Sequence, residues 1–263
     1  MFKIQKFMDE SPANPIVARL SLGLIDLLPG TKLSDSQKEE LSLLCFEVMP
    51  LMVAADKTAR RVADELDEIG QRVLVSGPAL QRNAVEMPSA LNLHDVGTFL
   101  VQGKKVLQSA IKVFGIVFGQ KFGAAHFHKA LDWAKKTLGE GHPVTRMLDT
   151  HSKWLAHFID LRNREEHPQP GQQLVSNYDM NQGPDGTWAL TPPKFFDGTD
   201  VKNFLRGSIN DLLTFIEELV VVSLRGHLRP GFEIFEIPEG QRDPRRPIRF
   251  VLGPLGSLPP AGG

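Results

Sequence analysis

Apolar residues recur at three- and four-residue intervals over most of the chain, and the rhythm breaks at a few points marked by proline and glycine. NPIVARLSLGLIDLL (14–28) carries one apolar face and stops at Pro29-Gly30, which predicts a first helix. SDSQKEELSLLCFEV opens a second, with Ser34 or Ser36 ahead of Glu39 as its N-cap signal. The same pattern runs on through MPLMVAADKTARRVADELDEIGQRV to about residue 73, with Pro50 expected to kink or break the helix. Glycine and two prolines in SGPALQRNAVEMPS (76–89) then interrupt the periodicity and mark a boundary between an N-terminal helical region, residues 1–80, and the rest.

Helical spacing resumes in ALNLHDVGTFLVQGKKVLQSAIKVFGIVFG, in HFHKALDWAKKTL (126–138) and in PVTRMLDTHSKWLAHFIDLRNREEH, with a turn at Gly139-Glu140-Gly141-His142-Pro143. A last long helix is expected over 200–228, where Val201, Phe204, Leu205, Ile209, Leu212, Phe215, Ile216, Leu219 and Val220 share a face. The pattern predicts an all-α fold, an antiparallel helical bundle over residues 88–228, with small β-hairpin insertions. One insertion spans 168–198, where QQLVSNY and TWALT flank the turn sequence NQGPDG. A second hairpin, FEIFEI with IRFVL, is expected over 229–252, and the tail 253–263, GPLGSLPPAGG, is expected to be disordered.

Composition narrows the class. The chain has 263 residues and is 41% hydrophobic, enough for a substantial core. Its 30 Lys+Arg nearly cancel its 31 Asp+Glu, so overall charge advertises neither nucleic acid nor membrane, and any polyanion contact must be local. A single cysteine, Cys45, excludes an intramolecular disulfide and fits a reducing, cytoplasmic location. The N-terminus has no signal-peptide core, and no uncharged apolar run approaches the roughly 18 residues of a membrane span.

The stretch DLRNREEHPQP (160–170) carries the candidate chemistry. On a helix, His151, Leu155, Phe158 and Arg162 fall within one narrow stripe, so Arg162 continues an apolar face, where a permanent cation needs a partner or a ligand. Asn163 and His167 lie four residues apart and share a side, and Pro168 pushes His167 out of the α region, from where its ring can swing toward Arg162. A purely structural alternative stands beside this: Arg162 has Glu165 and Glu166 at i+3 and i+4, and Asp160 has Arg164 at i+4, so the same residues can close a salt-bridged helix end.

Arg162-Asn163-Arg164-Glu165-Glu166-His167 resembles the signature of the HEPN superfamily, an arginine followed by a polar residue and, after four to six intervening residues, a histidine. The resemblance covers roughly residues 90 to 228. It implies an all-α bundle that dimerises so that two copies of the motif face each other, and a metal-independent endoribonuclease, often a toxin or defence effector, with RNA as substrate, no cofactor and no metal. An antitoxin or regulatory protein is then a further partner. His167 would move the proton, its ordinary pKa of about 6.5 allowing either direction near neutrality. Arg162 would hold the charge that gathers on the phosphorus oxygens, and Asn163 would orient the imidazole or the phosphate. His151, Arg164, Tyr178 and Trp188 are candidate RNA-binding residues, the two aromatics by stacking on unpaired bases. The alternative function is a non-catalytic helical module for protein–protein interaction or regulation.

Other features read more plainly. His126 and His128 are two apart on a helix and point to opposite sides, which disfavours a shared metal. FGIVFGQKFG aligns Gly115, Gly119 and Gly123 as a groove for close helix packing. Arg242, Arg245, Arg246 and Arg249 gather around a turn that can be a solvated loop or a phosphate contact.

Overall fold

The computed structural model describes residues 9–256, apart from 77–78, 82–83, 169 and 171–172. The chain is mostly helical, with small antiparallel two-stranded sheets. Helix α1 (Pro15–Val17) starts with the Asn14 side chain accepting the Ile16 N–H at 2.9 Å and with proline in its first position. The helical path continues through a π-helical stretch, Ala18–Gly23, then α2 (Leu24–Leu27) and a 3-10 turn, Leu28–Gly30. Glycine closes this segment for a packing reason, since a Cβ at Gly30 would overlap the Leu252 side chain.

Helix α3 (Asp35–Ser76) runs 42 residues and passes Pro50 without ending. Pro50 is exposed, so the carbonyl four residues back that loses its donor can be hydrated, which is why the expected break does not occur. Ser34 caps α3 as foreseen, but its reciprocal partner is Gln37 rather than Glu39: the Gln37 N–H reaches Ser34 Oγ at 3.3 Å and the Ser34 N–H reaches Gln37 Oε1 at 3.0 Å. The expected interruption after α3 contains an antiparallel pair, β1 (Ala79–Gln81) with β2 (Ala84–Glu86).

A 3-10 turn, Leu91–His94, leads into α4 (Asp95–Ala110), followed by α5 (Lys112–Phe118). The glycine stripe does not form, because Gly119 stands at φ +70 and ends α5, its N–H on the Gly115 carbonyl at 3.1 Å and the Gln120 N–H on the Phe114 carbonyl at 3.1 Å. Helices α6 (Phe127–Thr137) and α7 (Pro143–Glu166) follow as their spacing predicts.

The insertion after α7 is a hairpin built as two short ladders. Strand β3 (Val175–Ser176) pairs with β6 (Lys194–Phe195), and β4 (Asp179–Gln182) pairs with β5 (Trp188–Thr191). TWALT forms its predicted arm, whereas QQLVSNY supplies only the outer rung. Gly186, at φ +81, makes the turn possible. Helix α8 (Val201–Arg225) precedes the C-terminal hairpin, β7 (Phe232–Glu236) with β8 (Phe250–Pro254). Thus the first residues of the expected disordered tail are ordered in β8, and 257–263 lie outside the described residues.

The fold divides into two compact units, residues 1–53, 105–155 and 212–263 in one, and 54–104 and 156–211 in the other. The first has an aromatic cluster of Phe114, Phe122 and Trp133, with centroids 5.4 to 5.9 Å apart, and a buried ion pair, Arg19–Glu217 at 2.6 Å. The second is centred on Phe99, Phe158 and Phe204, with Phe195 from the insertion edge-on to Phe204 at 4.9 Å. In this unit Gly103 allows α4 and α7 to approach closely, since a Cβ there would overlap the Phe158 ring.

Candidate functional site

Arg162, Asn163 and His167 all sit at the C-terminal end of α7. The Arg162 side chain is only 11% exposed, because its stripe continues Phe158 and Leu161, both fully buried. Its Nη2 binds Glu166 Oε1 one turn on, and its Nη1 donates to Asn163 Oδ1 at 3.3 Å. Its Nε is buried and has no hydrogen-bond partner among the described residues. Burial pulls the guanidinium below its ordinary pKa. Lys104 on α4 feels the Arg162 charge, and its ammonium is lowered by burial first and by that charge second.

His167 does not swing back onto Arg162. Its backbone N–H completes the last turn on the Asn163 carbonyl at 2.9 Å, and its side chain is 78% exposed. Its Nε2 lies 3.8 Å from Glu166 Oε2, so one carboxylate stands between the two motif residues. Glu166 was visible in sequence only as the i+4 partner of a salt-bridged helix end, and that pairing is present, as is Arg164 Nε with Asp160 Oδ2 at 2.9 Å. Nothing in the spacing marked Lys104, which belongs to a different helix.

The four residues predicted to bind RNA have different surroundings. His151 is in the other unit, its Nε2 3.1 Å from Glu218 Oε2 and its ring edge-on to Phe215 at 5.2 Å. Arg164 lies over the Phe196 ring, 3.9 Å from its centroid, so the insertion touches the motif there. Tyr178 is buried and its hydroxyl donates to the Leu66 carbonyl at 3.0 Å. Trp188 is exposed and, with Tyr178, Leu66, Val73, Leu74 and Leu190, lines a groove of about 650 Å³ between the hairpin and α3. None of Arg162, Asn163 and His167 lines that groove. Leu74 of that lining is an exposed apolar residue near the end of α3.

The loop arginines are engaged internally. Arg242 lies 3.8 Å from Glu236, Arg245 lies 3.4 Å from Asp243, Arg246 pairs with Asp26, and Arg249 contacts Glu218 at 2.9 Å and Glu236 at 2.7 Å. Cys45 is buried and its thiol is pushed up to about 12, leaving it unreactive. Among the described residues no group of three or more His, Cys, Asp or Glu is placed to hold a metal ion, and no helix is long and apolar enough to cross a membrane. Comparison with protein-family models, with curated proteins and with solved structures finds no match to this chain.

Proposed function

We propose that this chain is a HEPN-like, metal-independent endoribonuclease that works in the cytoplasm as a homodimer, a toxin or defence effector with an antitoxin or regulatory partner. The observation that carries this is the division of labour at the end of α7: an arginine held 11% exposed, and five residues on a histidine 78% exposed. A sunken guanidinium fixes a charge in place and an open imidazole meets solvent-borne substrate, which are the two demands of cleaving RNA without a metal.

The reaction balances on those groups. The 2′-oxygen attacks phosphorus and gives up its proton, the bond from phosphorus to the 5′-oxygen breaks, and that oxygen receives a proton, leaving a 2′,3′-cyclic phosphate and a 5′-hydroxyl. His167 serves as base or acid, Arg162 carries the charge on the non-bridging oxygens, and Asn163, bonded to Arg162 at 3.3 Å, holds its fork. The direct experiment incubates the purified protein with total RNA in EDTA beside an Arg162→Ala/His167→Ala double variant. Cleavage is expected from the first and not from the second; equal cleavage by both, or by neither, rejects the proposal.

A non-catalytic interaction module is the second proposal, favoured by the i, i+4 pairs Arg162–Glu166 and Arg164–Asp160, which satisfy the helix-end charges without any ligand. It predicts that the double variant changes partner binding or stability and that neither protein cuts RNA.

A further inference from the structure

Within one unit, residues 95–104 of α4 and 156–166 of α7 run antiparallel and in contact, because Gly97 lies under the Glu165 carboxylate and Gly103 under the Phe158 ring. Arg162 is therefore level with about residue 100 of α4. Helical side chains lean toward the N-terminus, so Lys104, one turn beyond that level, projects back to it. Two cations thus approach each other at the end of α7, in agreement with the lowered pKa of Lys104. Among the described residues Arg162 has one carboxylate, Glu166, and a buried Nε with no hydrogen-bond partner, while Lys104 has no ion pair. The other carboxylate nearby, Glu165, is held at the level of Gly97, about two turns from Lys104.

Two partly desolvated cations sharing a single carboxylate leave an excess positive charge, and a planar fork with an unused donor fits a tetrahedral oxyanion. We propose that Lys104 and Arg162 form a binding site for a phosphate group, and that the Glu166 carboxylate occupies this site in the resting protein. A phosphate enters by displacing Glu166 from Arg162, which also frees the His167 side of that carboxylate. Glu166 thereby acts as an internal competitor. Where the phosphate belongs to RNA, this rests on the ribonuclease proposal; for inorganic phosphate it stands alone.

The test is a calorimetric titration of the full chain with inorganic phosphate at fixed ionic strength. Glu166→Gln keeps the volume and removes the competing charge, so it is expected to bind phosphate about tenfold more tightly than the wild type, and adding Lys104→Gln is expected to abolish that gain. Equal affinity of wild type and Glu166→Gln overturns the competitor role, and a gain that survives Lys104→Gln overturns the site. Should Glu166→Gln not fold, the rise in Tm that phosphate produces over chloride is compared between wild type and Lys104→Gln: a rise confined to wild type supports the site, and equal rises or none reject it. RNA cleavage is measured in parallel. Phosphate effects as expected without cleavage keep the anion site and remove the ribonuclease, while cleavage without them does the reverse.

Discussion

Tyr178 is the chain's single tyrosine, buried, with its hydroxyl on a carbonyl 112 residues earlier. Burial first, and the Glu65, Asp67 and Asp200 carboxylates next, push its phenol up to about 12. The folded state therefore keeps this proton longer than the unfolded chain. The resulting stability is complete below the ordinary value near 10 and is lost as pH rises through about 12. Absorbance of the tyrosinate should show a midpoint near 12, and alkaline unfolding should set in less steeply in Tyr178→Phe; a midpoint near 10 would mean that the hydroxyl is not enclosed. At His167 the expectation is kinetic: His167→Ala should lose on the order of 10² to 10⁴ in cleavage rate with an unchanged melting curve, and EDTA should do nothing. The two sites differ in legibility for a plain reason. Arg162 and Glu166 are four residues apart, so their pairing follows from helix geometry, whereas Tyr178 meets α3 and Lys104 neighbours α7, distant parts of the chain that no local spacing reports.

Element by element, the helices that end on a side-chain signal were readable. Ser34 starts α3, and the apolar face expected for α8 is buried apart from Ile209, which is half-buried. Misjudgements arose where a residue's ordinary preference was overridden: Pro50 stays inside α3 because it faces water, and Gly119 is a terminator rather than a packing notch because it sits at positive φ. Glycines inside helices can be told apart by what surrounds them. Gly103 lies against the fully buried Phe158 ring, while a Cβ at Gly70 meets nothing within 4 Å. Gly103→Ala should cost about 1 to 3 kcal/mol through overpacking, and Gly70→Ala should add roughly 0.5 to 1 kcal/mol by restoring helix propensity. Urea unfolding of the two variants checks this; a destabilised Gly70→Ala, or a Gly103→Ala as stable as wild type, contradicts the packing of α4 on α7 or the openness along α3.

For the whole molecule, the ribonuclease proposal turns on how many chains would make one working cleft. Cleavage without a metal moves a proton away from the 2′-oxygen and another onto the 5′-oxygen, two tasks that a pair of imidazoles divides most simply. One chain offers one motif histidine, since His151 is committed to Glu218 and His157 lies 3.7 Å from Asp197. In the proposed enzyme a twofold dimer would bring two copies of His167 to a common cleft and give each Arg162 a reacting phosphate to face. A homodimer at micromolar concentration is therefore expected by sedimentation. The sharper measurement mixes wild-type chains with an equal amount of His167→Ala chains under conditions where subunits exchange. If both histidines serve one cleft, half of the wild-type chains acquire a disabled partner and activity per wild-type chain falls to about half; if each chain is self-sufficient, it does not change. Undiminished activity together with a monomer in the ultracentrifuge would remove the shared cleft and leave His167 to perform both proton transfers alone.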